Sequence, residues 1–275
     1  MIGAQRGFTI VEVMIVLSIS ALMLVTATTV FGGKRERTEF SQAVYDLQSK
    51  FQSWANNVSS ESVPGLNDYT CQVNPTGGVG PLLTYNPGSS SAASDCIYLG
   101  QALEVPTPAS NADTIYAYSV FGLRTIHGPG GVDTGVFPTS PDEANPDMAV
   151  DSSNNPVLSE AYPLLNGLTV KSAKASNSGA ESDILMFYSS LQNSNLSGNE
   201  ISVTSFQKSY SSHNANVVRQ CIQGNAGCSS GSKTTYFNNV TWDICVTDNT
   251  RTAKMTVTGT PTGIATKLDM DGTGC

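Results

Sequence analysis

The chain has 275 residues, and 14 Lys and Arg against 22 Asp and Glu give it a formal net charge of −8. Charged residues are 13% of the chain, about half the ~25% of an average globular protein, which excludes disorder driven by high net charge and a globally basic nucleic-acid surface. A hydrophobic share of 39% builds one sizeable core but not a polytopic membrane protein.

The first element is apolar. From Val13 to Gly33 no residue is charged. As a helix, at 1.5 Å per residue, this stretch is about 32 Å long, enough to cross a hydrocarbon core of about 30 Å once. No later segment compares with it, so a single membrane segment is expected. Arg6 ahead of it favours a cytoplasmic N-terminus and an exported remainder. Glu12 is the anomaly, because it sits inside the apolar run Phe8-Thr9-Ile10-Val11-Glu12-Val13-Met14. An unpaired carboxylate in lipid costs about 2.5–3.5 kcal/mol at a helix centre, so such an acid calls for a named partner. A cut before Phe8 would create an α-amino cation at the same depth, best placed to meet the Glu12 of an adjacent copy.

Arg6-Gly7-Phe8-Thr9-Ile10-Val11-Glu12 followed by an uninterrupted apolar helix resembles the class III signal of type IV pilins and type II secretion pseudopilins. In that family a prepilin peptidase cuts after the Gly and methylates the new N-terminal Phe. Carried over, the resemblance makes Gly7 the residue before the cut, Phe8 the methylated N-terminus and Glu12 the assembly acid. It covers about the first fifty residues. It implies a subunit held in the membrane by one helix, then drawn by a membrane platform and its ATPase into a homo-oligomeric or mixed surface filament. Adhesion, motility or DNA uptake are the roles that follow. The same signal fits a type II secretion pseudopilin, and a membrane-tethered extracellular adhesin is the further alternative. Many long-helix pilins carry a Pro in this segment, whereas this chain has none before Pro64; Gly32-Gly33 is the substitute weak point, at about 1 kcal/mol per Gly against Ala. An ordinary secretory signal cut near Val25-Thr26-Ala27 is disfavoured by Glu12 within its core.

Lys34-Arg35-x-Arg37 follows the apolar run. It reads as solvated charge at a membrane exit, or as attraction to anionic lipid headgroups. Next, Phe40, Val44, Leu47, Phe51, Trp54 and Val58 recur at alternating spacings of 4 and 3, the stripe of an amphipathic helix face. Pro64-Gly65 marks a stop beyond it. The helix is therefore expected over 8–58, with its transmembrane and assembly half at 8–33, behind a leader at 1–7.

The remainder, 59–275, is expected to form a β-rich head. Residues 64–96 read as loop, rich in Gly, Pro and Ser. Strand-like runs follow at Ile97–Val105 and Thr114–Gly122, and 124–166 reads as a second irregular stretch. Further apolar or alternating runs lie at Leu168–Lys171, Ile184–Leu191, Ile201–Phe206, Val217–Gln223, Thr234–Val246, Ala253–Thr258 and Ile264–Met270. The expected fold is α+β: a long N-terminal helix, membrane-embedded in its first half, packed on an antiparallel β-sheet head.

Six cysteines and no C-x-x-C pair point to disulfides in an oxidising compartment rather than a zinc or redox site. The pairing expected is Cys71–Cys96, closing the Gly/Pro/Ser loop, with Cys221–Cys228 and Cys245–Cys275 as the weaker guesses. His127 and His213, each in a turn-rich setting, read as exposed loop histidines. No nucleophile elbow, phosphate loop or zinc-protease motif is present, so no enzyme is expected. No cofactor is required. Calcium is the best small-ligand candidate, at Asp269 and Asp271 in Asp-x-Asp-Gly, with Glu143, Asn145, Asp147 and Asp151 as a second acidic cluster. The head's scattered Lys and Arg do not support direct nucleic-acid binding.

Overall fold

The computed structural model describes residues 9–60, 69–73, 81–85, 96–105, 113–128, 132–175, 181–189, 191, 201–207, 213–224, 228, 241–260 and 263–275, with the side chains of 28–33 excepted. The first helix, α1, spans Ile10–Ser59 without a break, through Gly32-Gly33. By packing the chain divides into two units, Met1–Gln42 and Ala43–Cys275. The division falls within α1 rather than at either of its ends.

Among the described residues of the second unit, twelve strands form three antiparallel sheets. β1 (Tyr69–Val73) and β2 (Pro81–Tyr85) make a two-stranded ribbon. β3 (Cys96–Glu104), β4 (Thr114–Leu123), β5 (Asp147–Met148), β8 (Ile184–Ser189) and β9 (Ile201–Phe206) form a sheet in the order β5-β4-β3-β8-β9, and β6 (Glu160–Pro163) also pairs with β4. β7 (Thr169–Ala175), β10 (Thr241–Thr247), β11 (Thr252–Thr260) and β12 (Gly263–Asp269) form the third, ordered β12-β11-β10-β7. A second helix, α2, covers Ala215–Ile222.

The larger sheet is covered on both faces, and side-chain alternation along its strands explains how. In β8 all six residues are buried. Phe187 points to α1, where its ring meets Phe51 edge-on at 6.2 Å. Met186 and Tyr188 point the other way, into a cluster with Val217, Val218, Cys221 and Ile222 of α2. Phe51 also stacks on Trp242 of β10 at 5.9 Å, so the helix touches both larger sheets. Trp54 meets Tyr162 of β6 edge-on and donates its Nε1–H to Glu160 at 2.9 Å. Burying an aromatic side chain of this kind removes 150–250 Å² from water, roughly, and the edge-on pairs add about 0.5–1.5 kcal/mol each. Around this contact Lys50 pairs with Glu160 at 2.5 Å, and the Tyr162 hydroxyl donates to Asp46. β3 shifts register between Tyr98 and Gly100, where a Cβ on Gly100 would collide with the Phe187 carbonyl of β8.

Two expectations are corrected here. The stretch 64–96, read as loop, carries β1 and β2: Tyr69 to Val73 is too short an alternating run to stand out among Gly and Pro, yet it pairs with Pro81–Tyr85 across all five of its residues. The run Val217–Gln223, read with the strands, lies in α2. Its apolar residues fall at 217, 218, 221 and 222, a helical spacing, and Asn214 caps the N-terminus by accepting from the backbone N–H of Asn216 and Val217. In 124–166, read as irregular, β5 and β6 are the short regular pieces.

Candidate functional site: the N-terminal apolar helix

Thr9 precedes α1, and its side-chain oxygen accepts the backbone N–H of Glu12 at 3.3 Å, while its carbonyl accepts from Val13 at 3.2 Å. Thr9 thus caps the helix start, making the Thr half of a Thr-x-x-Glu capping-box sequence, with the acid in the first turn. The positive end of the helix dipole favours a carboxylate there. Thr9 escaped the reading from sequence; the Thr-x-x-Glu spacing was its signal. Gly7 and Phe8 lie outside the described residues.

Past Glu12 the helix presents hydrocarbon on every side. All large apolar side chains from Ile10 to Val25 are exposed, Leu17 by 63% and Leu24 by 67%. Two hydroxyls bond within the helix: Ser18 donates to the Met14 carbonyl at 2.8 Å and Thr26 to that of Met23 at 3.0 Å. A helix apolar all round, with its backbone bonded internally, is what a hydrocarbon solvent requires. Ile10–Ala27 is long and apolar enough to cross a membrane. It is an N-terminal apolar helix of the kind that serves as a signal or membrane anchor.

Residues 2–28 match the family model of the prokaryotic N-terminal methylation motif. This motif is characteristic of type IV pilin-like signal sequences. The match takes in Gly7, Phe8 and Glu12 and ends at Thr28, so it covers the signal and the apolar helix and none of the head. Comparison with curated proteins and with solved structures finds no match.

The other residues singled out in the sequence are placed as follows. Disulfides join Cys71 to Cys96, Cys221 to Cys228 and Cys245 to Cys275, the same three pairs set out above. The first ties β1 to β3, the second anchors the end of α2, and the third ties β10 to Cys275, six residues beyond β12. The acids named for calcium have the following partners. Asp269 accepts the backbone N–H of Asp271 at 3.0 Å in an exposed turn. Glu143 accepts the N–H and hydroxyl of Thr139 at 2.7 and 2.8 Å, which hold its carboxyl below the usual range. Asp151 accepts from the N–H of Asn155 and Ser153 and is lowered likewise. Asp147 receives a two-point contact from Arg219 at 2.7 and 2.8 Å. Among the described residues no group of three or more His, Cys, Asp or Glu is gathered to hold a metal.

His213 is exposed and lies outside any helix or strand, as expected, but it is engaged. It is not a free loop side chain: its Nδ1 lies 2.6 Å from Glu104, whose side chain is 1% exposed, and its ring stacks on Tyr116 at 3.8 Å. The N–H of Asn214 donates to the other Glu104 oxygen at 3.1 Å, and the Tyr118 hydroxyl donates at 3.4 Å. Burial, and after it the Glu104 carboxylate, push the Tyr118 phenol well above its usual range. The network fixes the start of α2 over the sheet. His127 is half-buried, with Nδ1 2.9 Å from the Thr125 carbonyl.

Proposed function

We propose that the chain is a structural subunit of a type IV pilus-like surface filament, a pilin or minor pilin, inserted as a prepilin, cut after Gly7 and polymerised through its N-terminal helix. The observation that carries this reading is the helix itself: apolar on every face, exposed from Ile10 to Val25, and acidic in its first turn at Glu12. The methylation motif over 2–28 supports the processing step. Once such a helix leaves the bilayer, hydrophobic burial is available only among copies of itself. That is the driving force of a fibre core. Glu12 then pairs with the Phe8 amine of a neighbouring subunit and sets its axial register. A prepilin peptidase and a membrane platform with its ATPase are the partners this route requires. The three disulfides support an exported head.

Mass spectrometry of the N-terminal peptide, on protein sheared from its native cells, tests the reading. A peptide beginning at methylated Phe8 and recovered with long fibres is the expected result. A start near Thr28 means ordinary secretion and overturns it, and an intact Met1 means a plain anchor. Gly7→Val is expected to leave the membrane-bound precursor uncut.

A further inference from the structure

The cations that follow the apolar stretch have a geometry of their own. Lys34, Arg35 and Arg37 lie on the continuous helix and are all exposed. They are not equivalent. Arg35 Nε lies 2.7 Å from Glu39 Oε1, so one acid four residues on already offsets its charge. Lys34 and Arg37 take no ion pair among the described residues. Three residues apart, they share one side of the helix.

Their height is equally defined. The uncharged stretch ends at Gly33 and is about 32 Å long as a helix, close to the thickness of a hydrocarbon core. Lys34 therefore stands at the edge of that core. Arg37 is about 4.5 Å further along the axis, within the depth of a headgroup layer. Long basic side chains at such a level extend to lipid phosphates while their stems stay on hydrocarbon. The disulfides place the head, and with it this flank, in an oxidising compartment. The flank count across the span, Arg6 against Lys34, Arg35 and Arg37, runs opposite to the usual bias for a cytoplasmic N-terminus. The orientation thus rests on the disulfides and not on Arg6, and the three outer cations need another purpose.

We propose that Lys34 and Arg37 form a binding site for the headgroup of an anionic phospholipid, which holds the precursor at a fixed depth in the membrane. Arg35 is kept out of the site by Glu39. The proposal rests on the reading of the uncharged stretch Val13–Gly33 as the membrane-embedded part of α1.

The test uses the full-length chain reconstituted into vesicles of equimolar phosphatidylglycerol and phosphatidylcholine, then extracted in a neutral detergent. The lipid that stays with the protein is counted by mass spectrometry. Wild type is expected to retain phosphatidylglycerol over phosphatidylcholine by about tenfold, given a severalfold preference per free cation. K34Q/R37Q brings the ratio close to one, R35Q leaves it nearly unchanged, and E39Q raises it by freeing Arg35. The thermal midpoint of the head, unchanged in all three variants, excludes misfolding as the cause. A wild-type ratio of one, or a ratio that K34Q/R37Q does not lower, overturns the lipid site. So does loss of the preference when inorganic phosphate replaces chloride at constant ionic strength, since the site would then be one for free anions. Release of the protein from the vesicles by alkaline carbonate overturns the membrane reading as well. Carbonate resistance without a lipid preference overturns the lipid site alone.

Discussion

α1 is one helix with two different surfaces. From Ile10 to Val25 it exposes Ile, Val, Leu and Met on all sides. From Ala43 to Val58 it buries Ala43, Val44, Leu47, Phe51, Trp54, Ala55 and Val58 and turns polar residues outward. The backbone is the same in both stretches, so the difference lies in what each was built to be dissolved in. The second stretch needs aromatic rings of fitted shape, because Phe51 and Trp54 meet Phe187, Trp242 and Tyr162 at specified angles. Apart from Glu12, Ser18 and Ser20, the first has only aliphatic side chains and Met, which suit a fluid hydrocarbon or a surface shared with many copies. Fold stability thereby falls to the second stretch, and on the function proposed above the first is left for assembly.

The largest expected effect breaks assembly and leaves the fold alone. Glu12→Ala is expected to abolish incorporation into fibres while the thermal midpoint of the head stays unchanged. Fibres containing the variant at wild-type abundance, seen by immunoelectron microscopy, would refute the register role. Trp54→Ala is the converse. It removes the largest ring at the helix contact and its hydrogen bond to Glu160, and should destabilise the head by about 3–5 kcal/mol. Leu17→Ala, equally apolar but exposed, should change urea unfolding of the head by less than about 0.5 kcal/mol. Equal effects from the two would mean that the two stretches of α1 are not divided as described.

Cys71→Ser with Cys96→Ser comes next. The bridge closes 25 residues of chain and ties β1 to β3, so its loss should cost about 2–4 kcal/mol in the same assay. Arg219→Ala should cost somewhat less, about 2–3 kcal/mol, by leaving Asp147 buried without its counter-charge. Arg219 also donates to Asn154 at 2.9 Å, so the variant should loosen α2 and the 147–154 segment together. Protected amides lost in α2 alone would show that the ion pair does not couple them.

What the sequence made legible followed the range of the forces involved. The stripe from Val44 to Val58 was readable because helix period and burial coincide over four turns. β3, β4, β8 and β9 were readable because each run is long and apolar or alternating. Pairings close in sequence, as at Cys221 and Cys228, also lay within reach. The failures share a cause. β1 and β2 are stabilised by each other and by the Cys71–Cys96 bridge more than by their own composition. α2 is eight residues long, and its identity lies in the Asn214 cap and the spacing of four apolar residues. Glu104 and His213 are 109 residues apart, and only the folded chain shows that the strand's buried acid and the turn's histidine meet. Spacing likewise cannot reveal the partners of the acids offered for calcium, such as the Arg219 guanidinium on Asp147 and the Thr139 N–H on Glu143.

The smallest effects sharpen the same comparison through pH. The stretch Val13–Gly33 has nothing to titrate, so pH acts on the head. Glu143 and Asp151 are held below their usual range, chiefly by the N–H of Thr139 and of Asn155. A depressed carboxylate stabilises the fold above its unfolded pKa, about 4. That contribution drains away as pH falls through the lower folded value, since the unfolded chain releases its proton less readily. Tyr98 and Tyr118 are raised, in each case mainly by burial. Their contribution is complete below the unfolded pKa, about 10, and is lost as pH rises beyond it. The thermal midpoint of the head should therefore be level near neutrality and fall below about pH 4 and above about pH 10. Glu143→Gln should shallow the acid limb only, and Tyr118→Phe the alkaline limb only. Glu143 is exposed and Tyr118 buried, so the alkaline change should be the larger. A reversed order would mean that the burial of Tyr118 weighs less on the alkaline limb than the Thr139 contacts of Glu143 weigh on the acid limb.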